Sequence, residues 1–221
     1  LISASTLPAH SLVLAIVFTP LFNQSPDCTN KLQTLRIRTP MPTTAPEANP
    51  SLALYWDFEN LHASLCEAKQ EGAYAKPDNR FKVQEPLVDV LAVMALVASV
   101  GPIAINRAYC NWQYFGRYRD VLMHSGMDLV QMFPPGGTAK NGADIRLCLD
   151  ATEDVGRFSH INTVVAVGGD SDYMPLAHTI KAAGRQLVGI GARRSTNDYW
   201  ARSCHTFHYY DDLATVVYEG G

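Results

Sequence analysis

The sequence predicts an α/β fold, a three-layer α/β/α domain with a mainly parallel central sheet. Three observations lead there: six short apolar runs bounded by turn residues, helical patterns between them, and runs that are continuously apolar rather than alternating. A strand covered by helices on both faces reads as an unbroken apolar stretch. Strand and helix alternating at this spacing imply one domain with helices on both sides of the sheet.

The elements follow in order. Leu12–Phe18 (LVLAIVF) is an apolar run far shorter than the roughly 20 residues of a membrane-spanning helix. No Lys or Arg precedes it and no small-x-small site follows, unlike a signal peptide. The first methionine is Met41, and residues 39–50 carry four prolines. Residues 1–50 are therefore expected to be a disordered or spurious N-terminal extension with a Pro-rich lead-in. Residues 51–221 are expected to form the single domain, with no membrane attachment.

Within that domain the expected strands are Leu52–Trp56, Ile103–Cys110, Leu129–Phe133, Thr163–Val167, Leu187–Ile190 and Thr206–Tyr209. Expected helices are Asn60–Gln70, Leu87–Val100, Asn111–His124, Ala143–Asp154 and Tyr173–Ala183. Pro86 suits a first helical turn, Gly101-Pro102 ends the second helix, and Gly184 closes the last. Residues 71–84 read as a polar loop, and no internal repeat is visible.

Composition narrows the function. Hydrophobic residues make up 47% of the chain and charged residues 18%, enough to bury a core. The net charge is −3, so any phosphate-binding surface must be local rather than spread over the molecule. Five scattered cysteines without a Cys-x-x-Cys pair argue against a disulfide framework or a zinc site. They suit free thiols in a reducing compartment, and the expected location is the cytoplasm. Neither a Gly-x-Gly-x-x-Gly nor a Walker loop is present, nor a Gly-x-Ser-x-Gly elbow.

Acidic residues carry the remaining signal. An apolar run ends in Asp57, with Asn60 three residues on. Asp144 lies in the first turn of a helix after a PPGGTAKNG loop. A third apolar run ends in Gly168-Gly169 and then Asp170-Ser171-Asp172. In an open parallel sheet, groups leaving the carboxyl ends of strands share one rim, where ligands bind. Asp57 and Asp170 leave strands in this way, whereas Asp144 reaches the rim only if its helix enters from that side. Carboxylates about 4 Å apart repel by roughly 4 kcal/mol at an effective dielectric near 20, so several stay ionised together only with a shared cation. Oxygen donors without His or Cys suit Mg²⁺ or Mn²⁺. Such an ion activates water for attack on phosphorus, which makes a phosphodiester the natural substrate. Taken singly, Asp57 reads equally as a helix cap and Asp144 as an acid meeting a helix dipole.

These residues resemble the NYN family, a branch of the PIN-like nucleases that includes LabA-like bacterial proteins. The matching segments are WDFEN (Trp56–Asn60), Lys140-x-Gly142-x-Asp144 running on to Leu149-Asp150-Ala151, and VGGDSDYMPL (Val167–Leu176). The resemblance implies a metal-dependent ribonuclease, with Mg²⁺ or Mn²⁺ at an acidic cluster and RNA, expected to be single-stranded, as substrate. By position it makes Asp57, Asp144 and Asp170 catalytic metal ligands, with Asp172 a further ligand or a water-positioning group. Asn60 would steady Asp57 or touch substrate, and Lys140 would hold a phosphate as a point charge. The chain has Gly168-Gly169 where a Ser-Gly pair is common. A further family carboxylate has only Glu85 and Asp89 as candidates. Asp150, about 240° around the helix from Asp144, is secondary.

Other features divide between roles. Arg193 and Arg194, with Arg202, form either a local phosphate-facing patch or a solvated loop. The aromatic stretch Tyr109–Asp120 suits base stacking but fits core packing better. His62 is expected to cap or pack. Competing functions are a non-catalytic RNA-binding or regulatory module and a haloacid dehalogenase-type phosphatase, the latter weakened by Met174 where that family has Thr. A homodimer is an open option.

Overall fold

The computed structural model describes residues 50–133 and 142–217, with side chains described as far as Leu213. The expectations for residues 1–49 and for Lys140 lie outside the described residues. All six expected strands form: β1 Ser51–Asp57, β2 Ile103–Cys110, β3 Asp128–Gln131, β4 Ile161–Val167, β5 Gln186–Gly191 and β6 Thr206–Tyr209. They build one sheet in the order β3-β2-β1-β4-β5-β6, and every neighbouring pair is parallel.

Helices fill the connections as α1 Phe58–Lys69, α2 Pro77–Arg80, α3 Val90–Val100, α4 Arg119–His124, α5 Gly142–Arg157, α6 Met174–Ala182, α7 Asp198–Ser203 and α8 Tyr210–Val217. Several differ instructively from the sequence expectation. Helix α3 begins at Val90 rather than Leu87, because the Asp89 carboxylate accepts from the Ala92 N–H and sets the cap there. The Asn111–His124 stretch is two 3₁₀ turns, Trp112–Tyr114 and Gly116–Tyr118, followed by α4. Its aromatic side chains pack into the core, as composition suggested. Helices α2, α7 and α8 were not expected; at 4 to 8 residues they are too short to display a helical period.

Alternate residues of β1 serve opposite faces. Leu52, Leu54 and Trp56 join the layer containing Phe58 and Leu61 of α1, Val93 and Val97 of α3, and Leu122 of α4. Ala53 and Tyr55 join the layer formed by Leu147 and Ala151 of α5 and Leu176 and Ile180 of α6. Both layers are built on buried apolar side chains, and β1 contributes to each. Leu54→Ala is accordingly expected to cost about 2–5 kcal/mol of unfolding free energy, read from denaturant melts.

This strand order reverses direction between β1 and β4. The connection after β1 leads to one face and the connection after β4 to the other, so their carboxyl ends flank a crevice. Asp57 ends β1, and Trp56 is the register partner of Val167 at the end of β4. Helices of a parallel sheet run back against the strands, which puts the first turn of α5, and Asp144 with it, at the same rim. Among the described residues, no helix is long and apolar enough to cross a membrane.

Candidate functional site

Asp57 caps α1 while pointing toward the α5 side of the sheet. Its Oδ1 accepts from the Asn60 N–H at 3.0 Å, and its Oδ2 lies 2.9 Å from the hydroxyl of Tyr173. That hydroxyl also lies 2.8 Å from Oδ1 of Asp144. Asp57, Asp144 and Tyr173 are all buried. A phenol has one proton to donate, so it cannot satisfy two ionised carboxylates at once. The Asp57 carboxyl is held well above its ordinary range, first by burial and then by hydrogen bonding and repulsion from Asp144. The Tyr173 hydroxyl is likewise held high by burial and by the two carboxylates.

The acids gather further outward. Asp144, Asp170 and Asp172 each present a carboxylate oxygen, and these oxygens lie within 4.8 Å of one another, in buried, half-buried and exposed positions respectively. Asp170 accepts from the Asp172 N–H at 3.2 Å and caps the 3₁₀ turn Ser171–Tyr173. Repulsion from Asp170 raises the proton affinity of Asp172. At 4.8 Å each ionised pair costs about 3–4 kcal/mol with an effective dielectric near 20. The donor set is all oxygen, which fits Mg²⁺ or Mn²⁺ better than a softer metal.

The Gly168-Gly169 backbone fixes this cluster. The Gly168 N–H donates to the Ile190 carbonyl, and the Gly168 carbonyl accepts from Nε1 of Trp200 at 2.9 Å. The Gly169 N–H donates to Oδ1 of Asn60 at 3.1 Å, and its carbonyl accepts from the Asn197 N–H. Four partners from α1, β5, the loop after β5 and α7 thus hold the two peptides that aim Asp170. A methyl group on Gly168 would stand 2.6 Å from the Tyr173 ring, so glycine is required for the ring to lie there. Asn60 therefore tethers one side of the crevice to the other, which extends the expectation that it steadies Asp57.

Other candidates stand elsewhere. Arg193 pairs with Asp212 at 2.6 Å and lies over the Tyr209 ring at 4.1 Å. The exposed Arg194 reaches the Ala68 carbonyl at 3.5 Å. Glu85 is paired with Arg117, and Asp89 caps α3. Asp150 accepts from the Tyr109 hydroxyl and from Arg146, apart from the cluster. His62 is buried between Tyr118 and Gln84 as a packed core residue. Sequence reasoning missed Tyr173 and Trp200. Tyr173 sits inside the third motif, but a tyrosine opening a helix gives no sign of partners 116 and 29 residues away.

The comparisons with known proteins agree with this fold. The model of the NYN domain matches residues 51–211. No curated protein sequence gives a significant match. A crystal structure of a protein of unknown function from Vibrio parahaemolyticus is similar with a TM-score of 0.59 at 17% identity, over 76% of this chain and 98% of that one. At that identity the likeness concerns the fold alone.

Proposed function

Because the chain belongs to the NYN domain family, whose members are PIN-like nucleases, we propose that it is a metal-dependent ribonuclease acting on single-stranded RNA. The observation that carries the reading is the convergence of Asp144, Asp170 and Asp172 within 4.8 Å, with Asp57 joined to them through Tyr173, at the crevice where the strand order reverses. Acids from three chain segments that are distant in sequence repel one another there, and a bound cation would offset that repulsion.

Asp144, Asp170 and Asp172 would hold Mg²⁺ or Mn²⁺, with Asp57 as a further ligand. The bound ion would supply an activated water and screen charge on the leaving oxygen. Tyr173, whose hydroxyl lies against both carboxylates, keeps the oxygens of Asp57 and Asp144 at a fixed separation. Asp172, the most exposed of the acids, orients water at the mouth of the crevice. Lys140 and Arg194 are proposed to meet the RNA backbone. Arg193 would do so only by exchanging its contact with Asp212. The four described cysteines are free, which fits the cytoplasm as the proposed location.

Purified protein is expected to cleave single-stranded RNA with Mg²⁺ or Mn²⁺ and to stop when EDTA is added. Cleavage that survives in both Asp57→Asn and Asp170→Asn would refute the assignment. RNA binding without turnover would instead favour the regulatory reading. A phosphorylated aspartate trapped from a small phosphoester would favour the phosphatase.

A further inference from the structure

Helix α5 carries three aspartates, and each meets a different buried tyrosine. The Tyr173 hydroxyl approaches Asp144 at 2.8 Å, Tyr109 donates to Asp150 at 2.9 Å, and Tyr55 donates to Asp154 at 2.8 Å. The tyrosines are wholly buried, and Asp154 is 6% exposed. Arg107 closes the lowest of these contacts by pairing with the oxygen of Asp154 that Tyr55 uses. Tyr55 and Arg107 are register partners on β1 and β2, and Asp57 and Tyr109 are the partners one step further up the same face. Strand β1 therefore meets α5 twice: Tyr55 grips Asp154 below, and Asp57 faces Asp144 at the rim.

Apolar contacts alone do not set such a placement sharply. Leu147, Ala151 and Val155 of α5 pack on the sheet, and packed aliphatic side chains tolerate small sliding by repacking. A buried carboxylate held by a phenol and a guanidinium is directional, and displacing it would strand a charge. Asp154 lies ten residues from Asp144, about 15 Å along the helix, so a displacement at the lower end carries to the upper one through a rigid element.

We propose that Tyr55, Arg107 and Asp154 are positioning residues for the rim: their contact fixes the axial placement of α5 and so holds Asp144 against Asp57 at the spacing a divalent ion requires. This rests on the metal-site reading above.

The test is Mn²⁺ titration in the absence of RNA, followed by the electron paramagnetic resonance of the free ion. Tyr55→Phe preserves volume and removes one hydroxyl; Asp154→Asn preserves shape and removes the charge. Both are expected to raise the Mn²⁺ midpoint roughly tenfold, the lower end of what outer partners of a metal site contribute, with cleavage restored by excess metal. Val97→Ala, a cavity on the opposite face of the sheet, serves as a control for general loosening and should leave the midpoint in place. Wild-type midpoints in both variants would overturn the proposal, as would an equal rise in Val97→Ala. Because the readout is metal alone, a wild-type protein inert toward RNA would remove the nuclease reading while the shift still decides this one.

Discussion

Replacing Asp57 with Asn is expected to raise the melting temperature of the metal-free protein while lowering RNA cleavage by at least about 100-fold, beyond the usual loss for partners one shell from a metal. The two effects share a cause. The Asp57 carboxyl is buried against Asp144, and its proton affinity in the folded chain exceeds the ordinary carboxylate value of 3.8. A group of that kind contributes most to stability below the unfolded value, and its contribution is lost as pH rises through the folded one. An Asn there keeps the cap on the Asn60 N–H and offers its amide protons to Asp144. The gain should be on the order of 3–6 °C. It should widen as pH rises from the ordinary carboxylate value toward neutrality and narrow when Mn²⁺ is added to the wild type. Differential scanning fluorimetry across that range checks it; parallel melting curves for the two proteins would show that the pair is not under electrostatic load.

The second large effect is expected at Gly168. Gly168→Ala brings a methyl carbon to 2.6 Å from one ring carbon of Tyr173 and 2.8 Å from its hydroxyl oxygen, and both the ring and the Gly168 peptide are fixed by other partners. Overpacking of that kind costs about 1–3 kcal/mol. The ring must turn away, which frees Asp57 and Asp144 from their common contact, so cleavage should fall together with stability. Gly156→Ala is the comparison: a methyl there meets nothing within 4 Å on α5, and helix propensity favours Ala by up to about 1 kcal/mol. Unaltered cleavage by Gly168→Ala would show that the Tyr173 contact does not matter to the site.

Much of this was legible in the sequence, for identifiable reasons. The strands announced themselves because burial on both faces leaves no polar residue to alternate with, as in Val164–Val167. Asp57 and Asp170 were assignable to one rim because each ends such a run. Asp144 was not, since its side of the sheet depends on the direction of β4 relative to β1, which only pairing decides. The part that stayed hidden is relational. Tyr173, Trp200 and Asp154 look ordinary in sequence, and their importance arises from contacts across the crevice or along α5. The aromatic stretch after β2 misled about helix length because its rings are spaced for a core and its backbone turns tightly to deliver them.

The Tyr173 hydroxyl spans 116 residues to reach Asp57, and β4 slots beside β1 only after β2 and β3 have been laid down on its far side in the chain. Closing so long a loop is slow compared with forming local helices. No fragment that ends before Asp170 contains the whole acidic cluster. The acids of the crevice therefore come together only when β4 joins β1, late in the assembly of the sheet.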